Sequence, residues 1–235
     1  MSSSNLHMFQ NSQRFSISGG KFQVAGRDIV TVEGGVKYQG LSWLYNEISQ
    51  SALHDAEARY PPPQCHPGTR EKALQSLGDW ASSGLNASGD EARPVYWLYG
   101  SAGAGKSAIA QTLAERRAGN KTLAASFFFW RSDPSRNTPR NLFTTIAFQL
   151  AFTIPELAGL INTAILGRPH ILTSSIDIQF KELILYPSMR SQVLHELHVF
   201  HGHTVSKTYL MIIDGLDECS NSHDQQRILS ILADG

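Results

Sequence analysis

Apolar residues along the chain follow two rhythms, recurring at three- and four-residue steps in some stretches and crowding into short unbroken runs in others. The stepped stretches predict helices. Leu41, Leu44, Ile48 and Ala52 share one helical face, and that helix ends before Pro61-Pro62-Pro63, a stiff extended linker. Leu74, Leu77, Trp80, Ala81 and Leu85 mark a second helix, with Thr69 placed to cap it. Ile109 and Leu113 point inward from a helix over residues 106–117, and Leu142, Phe143, Ile146, Ala147 and Leu150 from one over 141–152. Further helices are predicted over 155–166, 176–185 and 190–200. The unbroken runs, 95–99, 123–130 and 209–214, have the length and apolar character of buried strands. Strands alternating with helices imply an α/β fold whose mostly parallel sheet is covered on both faces.

Ahead of this pattern lie three β-prone runs, FSISGGK, FQVAGRD and IVTVEGG, each punctuated by glycine. They predict small strands with tight turns, read as a hairpin or tail, or as a stacking segment able to make cross-β contacts. The organisation is therefore a β-prone segment over 1–38, a helix and proline linker over 39–64, and a principal domain over 65–235.

Charge and composition narrow the function classes. Lys plus Arg and Asp plus Glu both number 20, so no net field draws the chain to nucleic acid or to an anionic membrane. No apolar run approaches the ~18 residues of a membrane span, and the N-terminus has no signal-peptide core. Cys65 and Cys219 are too few for a disulfide framework, which points to reduced thiols and a cytoplasmic location. His195, His198, His201 and His203 crowd together, but neither their spacing nor a nearby cysteine fits a zinc site. No G-x-S-x-G elbow is present to support a serine hydrolase.

The chemistry concentrates where the run 95–99 meets the following helix. Gly100-Ser101-Ala102-Gly103-Ala104-Gly105-Lys106-Ser107 fits G-x-x-x-x-G-K-[ST], the phosphate-binding P-loop. The glycines let the backbone approach phosphate oxygens, and the helix start supplies N–H groups and the positive end of its dipole. Lys106 reaches the outer phosphates, and the Ser107 hydroxyl is a Mg²⁺ ligand. The strand 209–214 ends in Asp214, the carboxylate expected on the metal side, with Asp217 and Glu218 close behind. The cofactor expected is Mg²⁺ with ATP or GTP, on a three-layer P-loop sandwich. A phosphotransferase would use the same loop but needs an arginine-rich lid, and none is visible between Leu150 and Tyr209. A scaffold that keeps the motifs without hydrolysis is the other alternative.

Asp214-Gly215-Leu216-Asp217-Glu218 resembles the extended Walker B segment of NACHT domains, within the signal-transducing STAND class of P-loop ATPases. Cys65-His66-Pro67-Gly68-Thr69-Arg70, Trp80, Phe127-Phe128-Phe129, Gln149-Leu150 and Gln179-Phe180 are similar to the nephrocystin-like N-terminal NACHT domains of fungal NOD-like receptors. The resemblance covers about residues 40–235 and implies a signalling switch with, at most, slow NTP hydrolysis. It carries Lys106 and Ser107 over to phosphate and Mg²⁺, Asp214 to the metal, and Glu218 or Asp217 to polarising the attacking water. Thr69 and Arg70 align with a segment near the base, and Arg131 or Arg140 with a γ-phosphate sensor. Its implied partners are a nucleoside triphosphate and further copies of the chain or other receptor chains. In that family a further strand follows the Asp214 position and inserts beside the P-loop strand. The sequence stops at Gly235, so the expected sheet is C-terminally truncated.

Overall fold

A computed structural model describes residues 38–83, 95–191 and 209–234. The β-prone runs before residue 38, the loop over 84–94, residues 192–200 of the helix expected over 190–200, and the histidine cluster lie outside the described residues.

Helix α1 (Gln39–Tyr45) is shorter than its apolar spacing predicts. The Glu47 N–H donates to the Leu44 carbonyl (2.9 Å), tightening the last turn, and the Ser49 N–H is taken by Thr145 Oγ1 (2.9 Å). Ala52 reaches the interior through a separate 3₁₀ turn, Gln50–Ala52, and a second such turn spans Glu57–Arg59. Helix α2 (Glu71–Ser83) buries Leu74, Leu77 and Ala81. Thr69 does not cap it as expected: its hydroxyl donates back to the His66 carbonyl (2.7 Å), and Arg70, at φ 60°, turns the chain into the helix.

Helix α3 (Lys106–Gly119) leads through a short turn into strand β1 (Leu123–Phe128), which is buried along its whole length. Helices α4 (Leu142–Thr153) and α5 (Pro155–Gly167) follow, the latter opened by a proline whose missing N–H costs nothing at a helix start. A helical run then comprises α6 (Ile176–Phe180), a π-helical turn (Lys181–Leu185) and α7 (Tyr186–Arg190). Strand β2 (Leu210–Asp214) and helix α8 (Ser222–Asp234) complete the described chain.

β1 and β2 pair in parallel, from Leu123 opposite Leu210 to Phe128 opposite Asp214, with one irregularity between Leu123 and Ala125. Side chains alternate to opposite faces, so the sheet feeds two apolar cores. Phe127 and Phe129 pack with α1, α4, α5 and the 171–185 region, and Leu123, Phe128, Leu210 and Ile212 pack with α2 and α3. The fold is thus mixed α/β with helices on both faces of a parallel sheet.

The run 95–99 departs from expectation. It is not a strand, and Val95, Trp97 and Tyr99 are 49%, 54% and 81% exposed, while Leu98 packs on the α2–α3 core and the Tyr96 ring meets Trp80 of α2 edge-on at 5.4 Å. Apolar content gives a strand only if a neighbour satisfies its peptide groups, and among the described residues no strand lies beside this one.

The sheet's two flanks differ. On the outer side of β1, Ser126 turns its peptide groups away from β2, and the Gln149 side-chain amide meets both: the Ser126 N–H donates to Oε1 and Nε2 donates to the Ser126 carbonyl, each at 2.9 Å. The Ser126 hydroxyl accepts from the His54 N–H (3.1 Å). On the other side, the Leu210 N–H donates to the Thr122 carbonyl, and the Asp214 carbonyl accepts from the Phe129 N–H, both at 2.9 Å. With those residues turned toward β1, Met211 and Ile213 direct their peptide groups away from it.

Candidate functional site

The glycine loop and the strand-end carboxylate meet at the C-terminal edge of the sheet. Gly103 and Gly105 have φ of 77° and 86°, a conformation L side chains rarely adopt, and a Cβ on Gly103 would meet nothing within 4 Å. Gly105 is the last residue before α3, so the unpaired N–H groups of the first helical turn, beginning at Lys106, open toward the loop. The loop is closed on itself by the Ala104 N–H to the Ser101 carbonyl (3.2 Å). Lys106 Nζ folds back to donate to the carbonyls of Gly100 (2.9 Å) and Ser101 (3.2 Å).

Ser107, in the first turn of α3, stands near enough to the Asp214 carboxylate at the end of β2 for its hydroxyl to favour the ionised form. Burial pushes the Asp214 carboxyl above its usual range; the Ser107 hydroxyl, the positive charge of Arg59 and the Gly215 N–H oppose that rise, and nearby Glu218 adds to it. Directly after it, Gly215 at φ 70° bends the chain beneath Phe129, whose carbonyl would lie 3.0 Å from a Cβ there. The turn Leu216–Glu218 then presents the two later acids. Asp217 is exposed, whereas Glu218 Oε2 accepts from the Arg131 N–H (3.0 Å), and Arg131 Nη2 donates to the Asp217 carbonyl (3.1 Å).

Of the other residues singled out in the sequence, Arg70 reaches the loop: its guanidinium covers Gly105, with Nε 3.5 Å from where a Cβ would stand. Thr69 lies beside it with its hydroxyl engaged by His66. Arg131 is brought to the acids, whereas Arg140 stands exposed in the turn Pro139–Asn141.

Sequence reasoning missed two arginines. Arg59 lies flat against the Phe128 ring, 3.5 Å from its centroid, and Phe128 pairs with Asp214. Burial, and then the charge of Arg136, lower the Arg59 pKa to about 10, against the pull of Asp214 and Glu115. Arg136 is 3% exposed, stacks 4.8 Å from the Trp130 ring centroid and pairs with Asp133 through Nε (2.9 Å). Neither belongs to a recognised motif; Arg59 is placed by a contact with a distant segment, whereas Arg136 is held by its near neighbours Trp130 and Asp133. Among the described residues no group of three or more His, Cys, Asp or Glu side chains is arranged to hold a metal, and no helix is long and apolar enough to cross a membrane.

A parallel sheet with helices on both faces, and a glycine-rich turn feeding a helix at the tip of that sheet, place the chain among mixed α/β proteins. Residues 73–235 match the model of the family described as nephrocystin 3, N-terminal, and the chain belongs to that family. No curated protein and no solved structure matches it.

Proposed function

We propose that the chain is a NACHT-type nucleotide-binding module, a cytoplasmic signalling switch of the NOD-like receptor kind that holds Mg-ATP or Mg-GTP. The observation that carries this reading is the nearness of the Ser107 hydroxyl to the Asp214 carboxylate, which brings the start of α3 and the end of β2 to one place. A hydroxyl and a carboxylate near one another at a helix start that offers N–H groups are the donor set a magnesium-bound triphosphate requires.

The residues present fit that group. The open side of Gly103 leaves room for a phosphate to approach the backbone, and the first turn of α3 offers N–H donors to anionic oxygen. Two oxygen ligands from the protein are enough for Mg²⁺, which keeps water and phosphate oxygens for the rest of its shell. Mg²⁺ would draw charge from the phosphates when bound there. Lys106 gives up its two carbonyl partners to reach the outer phosphates, and Ser107 and Asp214 hold the metal side. Gly100, Ser101, Ala102, Ala104 and Gly105 line the cradle, with Arg70 and Thr69 on its rim. Glu218 or Asp217 orients water. Glu218 is already engaged by the Arg131 N–H, which supports a switch that turns over more slowly than about one per second.

The test is titration of the whole chain with a fluorescent triphosphate in Mg²⁺, in parallel with Lys106→Ala. Saturable binding that falls at least about tenfold in the variant and is lost on chelating the metal supports the reading. Equal signals from both proteins would sink it.

A further inference from the structure

The turn Glu57–Arg59 precedes the glycine loop by a long stretch of chain, yet it delivers a guanidinium to the sheet tip. Arg59 stacks on Phe128, directly across the ladder from Asp214, and the two charges feel each other without forming an ion pair. Among the described residues its hydrogen bond is from Nη1 to the Leu53 carbonyl (3.3 Å), which leaves most of the donor fork unspent there. Asp133 is taken up by the neighbouring Arg136 (2.9 Å), whose charge repels Arg59, while Asp214 and Glu115 attract Arg59 without forming an ion pair with it. A half-buried, protonated guanidinium beside a like charge is unfavourable unless an anion completes the site.

We propose that Arg59 is a phosphate ligand that reads the terminal phosphate of the bound triphosphate, so that the segment ahead of the glycine loop supplies this chain's own discriminator between triphosphate and diphosphate. The inference rests on the nucleotide-binding reading above. Its place at the Asp214 end of the sheet, rather than along the loop, selects the outermost phosphate. Stacking on Phe128 fixes the plane of the fork before any ligand arrives, which lowers the ordering cost of a charge-assisted hydrogen bond. Arg131 is less suited, because it is exposed, where a charge needs no anion to complete it, and among the described residues no ring fixes the plane of its guanidinium.

The experiment compares fluorescent analogues of ATP and ADP, each with Mg²⁺, on the whole chain as wild type, Arg59→Met and Arg59→Lys. Methionine keeps an apolar stem on Phe128 and removes the donors, while lysine keeps the charge and loses the fork. Arg59→Met is expected to weaken triphosphate binding by about tenfold or more, the scale of one hydrogen bond to a charged group, and to leave diphosphate binding within about twofold. Arg59→Lys should fall between. A melting curve without nucleotide checks that each variant is folded, and if the methionine variant is not, the lysine variant decides by the same ratio. Equal loss for both nucleotides, or no loss for either, overturns the role of Arg59 while the nucleotide reading stands. Failure of the wild type to bind either nucleotide overturns both.

Discussion

Replacing Asp133 by asparagine removes one charge from a crowded polar cluster, and the cost can be worked out from its partners. The carboxylate accepts from Ser135 N–H (2.9 Å), Ser135 Oγ (2.7 Å), Ser51 Oγ (2.8 Å) and Arg136 Nε (2.9 Å). Burial by itself would raise its pKa, but the hydrogen bonds from Ser135, Ser51 and Arg136 outweigh that and hold it at about 2, below the usual 3.8. This depression corresponds to roughly 2 kcal/mol of stability for the ionised form, and nearer 1 once screening by the water that reaches it is allowed for. Asparagine also strands the buried guanidinium of Arg136, whose loss of a counter-ion adds further destabilisation. Asp133→Asn should therefore lower unfolding free energy at pH 7 by about 2 to 4 kcal/mol, read from urea denaturation. The sign with pH follows from the depressed value: the stabilisation is present above 3.8 and is lost as pH falls through about 2, so the gap between wild type and variant should narrow over that window. A gap below about 0.5 kcal/mol at pH 7, or one that widens in acid, would refute the reasoning.

Gln149→Leu keeps the volume of the side chain but deprives Ser126, 0% exposed, of a partner for both its N–H and its carbonyl. At about 1 to 3 kcal/mol for each of the two buried groups left unpaired, the loss should be about 2 to 6 kcal/mol in urea denaturation; under 1 would mean that water or another group replaces the amide. Asp214→Asn should act in the opposite direction. The wild-type carboxyl has a folded pKa above 3.8, so its contribution is fully present below that value and is lost as pH rises through the folded one. The variant should be the more stable protein at pH 7, its advantage vanishing near pH 3.8, and it should bind nucleotide with less dependence on Mg²⁺. A melting temperature at pH 7 equal to or below that of the wild type would contradict this.

What could be read from the sequence was whatever depends on local spacing. Ile109 and Leu113 fix the face of α3, Leu142 to Leu150 that of α4, and the run ending at Asp214 the position of β2, because each pattern is set by the period of its own element. The turn of the glycine loop was legible for the same reason, since Gly103 and Gly105 are needed for backbone angles within a few residues. What needed tertiary partners was not. Residues 95–99 look like β2 in composition, but exposure of Trp97 and Tyr99 reflects the missing ladder rather than their type. The stretch from Ile48 to Ala52 keeps a helical spacing, yet Thr145 of α4 competes for its backbone. Arg59 acquires its setting from Phe128, and no spacing rule links residues so far apart; Arg136 pairs with Asp133 only three residues away, but the spacing does not tell a stacked, buried guanidinium from a solvated one.

The unlike borders of the sheet give it a direction of growth. A glutamine amide imitates a neighbouring peptide at Ser126 and so terminates hydrogen bonding there without adding any backbone. Beside Met211 and Ile213 no described strand takes that place. A strand added to this sheet would find open peptide groups at Met211 and Ile213, on the strand that ends in Asp214, and none at Ser126.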